Sequence, residues 1–129
     1  MATSVQIPGG TATFAAEGDL STKQFYFVEL GASAGQVDVC DGAGDRVIGV
    51  LQNKPNAAGA EAEVTIYGVT KVVASAAITR GATVGTTNAG KAVAKTADAD
   101  LVAGIALEAA AADLDVIQIL LTPGAQRAS

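Results

Sequence analysis

Two stretches of the chain repeat one pattern. DRVIGVLQNKPNAAGAEAEVTI (residues 45–66) and LVAGIALEAAAADLDVIQI (residues 101–119) each carry an apolar run broken by one glycine, Gly49 or Gly104. A small-residue loop follows in both, and then a second apolar strand led in by acidic residues. Apolar runs with period-two alternation, bounded by Gly, Pro, Asn and Asp, define short strands. A glycine inside such a strand marks a bulge, a sharp bend or a close backbone approach, which a small, strongly curved barrel requires. The repeat therefore restricts the chain to a duplicated β scaffold.

The remaining sequence agrees with that reading. KQFYFVEL (residues 23–30) is rich in β-branched and aromatic residues, with Tyr26, Val28 and Leu30 on one face and Phe25 and Phe27 on the other. Residues 36–40 alternate through Val37 and Val39, residues 47–52 read as a buried strand, and residues 61–66 place Ala62, Val64 and Ile66 inward. Strands are also expected at residues 69–74, 83–86 and 92–95, with a hairpin turn at residues 87–90 whose glycine takes a positive φ. Residues 108–112 are expected to form a single helical turn, and Asp113 and Asp115 to guard a sheet edge. The sum is about nine short strands at the turn spacing of barrels and sandwiches. The expected fold is mainly β: a small β-barrel or β-tulip-like domain over residues 21–121, an extended N-terminal arm over residues 1–20, and a polar tail over residues 122–129.

The arm expectation rests on energetics. Ordering some fifteen backbone residues costs ~1–2 kcal/mol each, and the sizeable anchors Val5, Ile7 and Phe14 return only ~1.5–3 kcal/mol each. Such a segment needs a neighbour's sheet edge. The body has its own shortage, because the apolar half of the composition comes from 28 Ala and 14 Val, with three Phe, two Tyr and no Trp. A core of small side chains gains from association or from docking on a larger surface.

Function classes fall away quickly. A net charge of −5, with the eight basic residues scattered, does not suit a phosphate backbone, so no nucleic-acid partner is expected. No stretch approaches the ~20 apolar residues of a membrane span. The opening MATSVQIPGG has neither the basic nor the apolar region of a signal peptide, which gives an expectation of synthesis in the cytoplasm. Cys40 is the single cysteine, expected to be a small apolar packing residue. Without histidine, and with serines in no nucleophile-elbow pattern, no catalytic residue can be nominated. Residues 85–92, GTTNAGKA, have the glycine and lysine spacing of a phosphate-binding loop, but Ala92 lacks the metal-binding hydroxyl and the following residues alternate as a strand. Asp38, Asp41 and Asp45 crowd one turn without the spacing of a calcium loop. The expectation is no metal and no cofactor.

The blocks DLSTKQFYFVEL, VCDGAGDRVIGVLQNKP, EVTIYGVTKVVASAAITRGATV, NAGKAVAK and AGIALEAA, spanning residues 19–121, resemble the small phage capsid decoration (cement) proteins of the DUF2190-like group. One departure is the stretch before the last strand, residues 109–113, where a glycine-containing turn is expected. The resemblance implies a non-enzymatic protein, made in the host cytoplasm, that binds the outer surface of the expanded head and staples neighbouring major capsid protein subunits. It also implies a homotrimer on the capsid and an arm touching the shell through Val5, Ile7, Pro8 and Phe14. The alternative from another class is a carbohydrate-binding or adhesive β module on a head fibre or cell surface, for which Tyr26 and Tyr67 are the available aromatic platforms.

Overall fold

A computed structural model of the protein describes residues 10–97 and 101–122. Five strands, β1 (Thr11–Ala16), β2 (Phe27–Leu30), β3 (Gln36–Val39), β4 (Gly49–Leu51) and β5 (Glu61–Thr65), close into a barrel in the order β1-β3-β2-β4-β5. The next five, β6 (Gly68–Val73), β7 (Thr83–Thr86), β8 (Ala92–Ala94), β9 (Gly104–Ala106) and β10 (Val116–Leu121), form a sheet in the order β6-β10-β9-β7-β8. Traced from β3 around the barrel and from β8 across the sheet, the two orders are the same: third, second, fourth, fifth and first strand of each half.

The registers match as well. Val28 faces Gly49, Leu51 faces Val64 and Thr11 faces Thr65 in the first half. Val84 faces Gly104, Ala106 faces Ile119 and Val69 faces Leu120 in the second. Even the backbone outliers pair. Positive φ occurs at Gly10, Phe25, Gly35 and Gly59, and at the corresponding Gly68, Gly81, Gly90 and Leu114. The repeat visible over residues 45–66 and 101–119 is thus the β4-β5 and β9-β10 part of a duplication that runs through both halves. At Leu114 the missing turn glycine is resolved: a leucine takes the left-handed conformation that Gly59 supplies in the first half.

Gly49 and Gly104 explain why the pattern needs its glycines. A Cβ at Gly49 would collide with the Thr65 carbonyl oxygen, and one at Gly104 with that of Leu120. Close approach of β4 to β5, and of β9 to β10, tightens the curvature of each half.

The interiors correspond position by position. Ala16, Leu20, Val28, Val37, Leu51, Ala62 and Val64 fill the barrel, and Ala74, Ile78, Val84, Ala92, Ala106, Ile117 and Ile119 stand at the matching positions of the second half. Volume is traded within each set: the second half has Ala for Leu51 and Val37 but Ile for Ala62 and Val64, which keeps total core volume near constant. The two halves close differently. In the barrel, β1 and β3 run parallel through Ala15–Gln36 and Ala16–Val37, whereas β6 and β8 meet only at the bridge between Ala74 and Ala92. Barrel residues Phe27, Cys40, Val47 and Val50 join the core of the second half. Phe27 N–H donates to the Gly90 carbonyl (2.8 Å), Val73 N–H to the Phe25 carbonyl (2.9 Å), and Gln52 Nε2 to Thr70 Oγ1 (2.8 Å).

Four expectations need correction. The part of the arm that falls in the described residues, 10–20, is built into the barrel: β1 pairs with β5 along its length, and Ala16 and Leu20 are buried. Both flanking strands come from the same chain, so the ordering cost is met by ladder hydrogen bonds as well as by side chains. The strand expected over residues 23–30 begins only at Phe27, because Phe25 turns left-handed to bond Leu51 and Val73. No helical turn forms at residues 108–112: Ala110 exchanges two backbone bonds with Ile78, and the Asp115 carboxylate accepts from the N–H groups of Ala111 and Ala112. Asp115 therefore ties a turn instead of guarding an edge, and Asp113 pairs with Lys91 at 2.7 Å.

Replacing Gly49 or Gly104 with Ala should each destabilise the fold by about 1–3 kcal/mol, the usual range for overpacking. Leu114→Gly should stabilise by up to about 1 kcal/mol, because it relieves a left-handed conformation at a side chain that is 62% exposed and loses little burial. Chemical denaturation of the three variants checks both signs.

Candidate functional site

Of the residues expected to touch a shell, Val5, Ile7 and Pro8 lie outside the described residues. Phe14 sits in β1 opposite Ala62 and packs, partly buried, against the barrel core. Its ring is a wall element of the barrel. The chain leaves the described residues at Gly10, whose carbonyl accepts from Ile66 N–H (2.6 Å) and which lies against the Tyr67 ring. Gly10 thus stands beside Tyr67, where the barrel hands the chain over to β6.

The surface chemistry is uneven. In the second half the outer face of β6, β10 and β9 is apolar: Val69, Leu120 and Ile105 lie side by side in register, with Val116 further along β10. The corresponding outer face of the barrel carries Thr11, Thr13, Glu61, Glu63 and Thr65, with the Thr13 hydroxyl donating to Glu63 Oε1 at 2.7 Å. This apolar row carried no distinct signal as a docking face in the sequence. Alternation located its strands, but its exposure follows from knowing which face each sheet buries.

One titratable cluster forms where β2, the end of β3 and the 41–45 turn converge. Glu29, Cys40 and Asp45 hold one ligand-type atom each within 4.8 Å of one another. The Glu29 carboxyl is pushed up to about 8, first by burial and then by its hydrogen bond with Asp45 and the neighbouring Asp41 and Asp38 charges. Asp45 is held below the ordinary carboxylate value, chiefly by that same hydrogen bond and by the N–H groups of Gly42 and Asp41. The two shifts agree: one proton is shared, and Glu29 carries it. Burial also pushes the Cys40 thiol up to about 12, against the lowering effect of its bond with Thr86. Two of the three groups are thus protonated at neutral pH, and a cation would have to displace both protons. The cluster is a hydrogen-bonded latch on the 41–45 turn, and Cys40 is a packing residue between the halves rather than a nucleophile.

Two shallow grooves flank the junction of the halves. One, of about 290 Å³, is lined by Ser21, Thr22, Gln24, Tyr26, Lys54, Val73 and Leu114. The other, of about 320 Å³, is lined by Phe25, Gln52, Val69, Thr70, Lys71 and Gln118. Tyr26 lines the first groove with Lys23 Nζ 5.0 Å from its ring centroid, and Tyr67, half exposed, lies against Gly10.

Fold and surface together define a duplicated β module that presents faces for contact. Comparison with known proteins makes the class specific. Residues 6–121 match the family described as phage cement protein, and the chain belongs to that family. It is a phage head-associated protein of a structural family. No curated protein matches the chain. Among solved structures, the crystal structure of the head fiber gp8.5 N base in bacteriophage phi29 shares its fold, with a TM-score of 0.66 and 13% identity, over 92% of this chain and 97% of that one.

The sign of the pH dependence follows from the latch. Glu29 binds its proton more tightly folded than unfolded, so its contribution is fully present below its ordinary value of 4.5 and is lost as pH rises through about 8. Asp45 acts oppositely, its contribution being lost as pH falls below its ordinary 3.8. Melting temperature should therefore fall progressively between about pH 4.5 and 8 and level off above that. In Glu29→Gln, whose amide donates to Asp45 without titrating, that fall should vanish; an unchanged slope in thermal melts would assign it to another group.

Proposed function

We propose that the protein binds the outer surface of the expanded phage capsid and staples neighbouring major capsid protein subunits, strengthening the shell against the pressure of packaged DNA. The observation that carries this reading is the match to phage cement proteins, which spans both halves of the duplication. Two β units locked through one shared core make a short, stiff strut, and a strut lying across a subunit boundary resists its opening. No catalytic step is needed for this role.

The contact to the shell begins at the segment before Gly10, with Val5, Ile7 and Pro8 as its apolar and conformationally fixed residues. Short extended segments bind by adding to an exposed sheet edge, where main-chain hydrogen bonds give affinity and alternate side chains give register. As a homotrimer the protein would present three such segments at once, and modest affinities would combine through effective concentration. A binder of this kind stabilises only the state it recognises, by mass action. The net charge of −5 keeps the protein soluble and away from the genome.

The test uses heads that lack this protein, mixed with the full chain or with a variant lacking residues 2–9, then pelleted. The full chain should co-sediment and raise the temperature at which heads release DNA; the shortened chain should stay largely in the supernatant while keeping its β circular-dichroism spectrum. Equal occupancy by both would move the contact off the N-terminal segment, and absence of the full chain from the pellet would overturn the reading.

A further inference from the structure

The duplication supplies an internal control for the surface of the second half. In the barrel, Thr11, Thr65, Val50 and Phe27 form one in-register row across β1, β5, β4 and β2. In the second half the same row is Val69, Leu120, Ile105 and Thr83, across β6, β10, β9 and β7. Position for position the backbone is shared, and the environments differ. Val50 and Phe27 are 0% exposed because the second half covers them, while Ile105 is 39%, Leu120 36% and Val69 59% exposed.

The side chains differ in the direction that matters. Where the barrel's uncovered positions carry Thr11, Thr65, Glu61 and Glu63, the second half carries Val69, Leu120, Val116 and Gln118. Two hydroxyls and two carboxylates are replaced by three apolar side chains and an amide. Lys71 lies on this face, and the exposed Glu108 carboxylate stands at its margin, accepting from Gln118 N–H at 2.8 Å. An apolar centre with a polar margin, here Lys71, Gln118 and Thr83, has the anatomy of a protein–protein contact.

We infer that the outer face of β6, β10 and β9 is the surface through which the protein associates with a second copy of itself, with Val69, Leu120 and Ile105 at its centre. The occupant has a precedent within the chain: Val50 and Phe27, which match Ile105 and Thr83, are buried by a β unit of this same fold. The inference gives a surface to the self-association in the proposed function and rests on that part of it alone, since it needs no capsid.

The test is sedimentation of the purified full chain, without heads, over a wide concentration series. Wild type should pass from the 12.7 kDa monomer to an assembly of at least twice that mass. A triple variant carrying the barrel's residues at the matching positions, Val69→Thr, Leu120→Thr and Val116→Glu, should remain monomeric with an unchanged β spectrum. If that variant does not fold, Val69→Glu, a single change at a side chain 59% exposed that puts a carboxylate at the apolar centre on both sides of the contact, should weaken assembly about tenfold or more. A wild-type chain that stays monomeric overturns the inference and leaves any trimer to form on the capsid. Assembly of the folded variants at wild-type concentrations overturns the face alone, leaving self-association elsewhere. Variants that assemble normally but no longer pellet with heads assign the face to the shell, which also overturns it.

Discussion

The packing of Phe27 and Val50 against the seam between β6 and β8 is the contact on which the rest of the structure depends. A five-stranded sheet of three- to six-residue strands, filled with Ala, Val and Ile, has little to hold it closed, and in the second half the closing strands share one bridge. The barrel supplies what is missing. Its outer-face residues Phe27, Cys40, Val47 and Val50 enter the core cluster of the second half, and the hydrogen bonds from Phe27 to Gly90 and from Val73 to Phe25 stitch the margins. Phe27 is the one aromatic side chain fully buried among the described residues. In a core otherwise made of small residues, a single ring of that size contributes more burial than several alanines. The two halves therefore pack as one unit.

How much of this could be read in advance depends on what kind of signal encodes it. The β class, the turn at residues 87–90 and the repeat around Gly49 and Gly104 were legible because alternation and glycine placement report directly on strands and close approach. The N-terminal half of the duplication was not. Thr11 matches Val69 and Phe25 matches Gly81, so the repeat there resides in register and backbone conformation while the residue types have diverged. Phe25 and Leu114 hold positive φ against their steric preference, and only tertiary hydrogen bonds, such as those from Phe25 to Leu51 and from Leu114 to Ala74, make those conformations worthwhile.

The fate of residues 10–20 shows the same limit from another side. A ledger of anchors against backbone entropy treats Val5, Ile7 and Phe14 as the whole return, which describes a segment with nothing to pair with. β1 has two partners in its own chain, antiparallel β5 and parallel β3, and the parallel pairing links strands that no sequence pattern connects. Among the candidate site residues, Phe14 moved for this reason from an arm to a barrel wall. The Glu29, Cys40 and Asp45 cluster was hidden likewise, since Asp45 was visible as a turn residue but its shared proton depends on β2 lying beside that turn.

Duplication followed by divergence accounts for both the stiffness and the asymmetry of the molecule. Two copies of one β unit present the same row of positions twice. In the barrel that row is half consumed in building the molecule, and its remaining positions, Thr11 and Thr65, carry hydroxyls, with Glu61 and Glu63 beside them on the same face. In the second half the row is free, and apolar side chains occupy the positions that water reaches. Exposed apolar residues scattered singly carry no message, but three in register across adjacent strands form a contiguous patch. Had solubility been the only demand, the threonines and glutamates of the barrel would serve equally well on the second half, because the backbone beneath them is the same. Their replacement by Val69, Leu120 and Val116 is therefore best understood as a requirement for contact, laid on a scaffold whose stability had already been secured by the shared core.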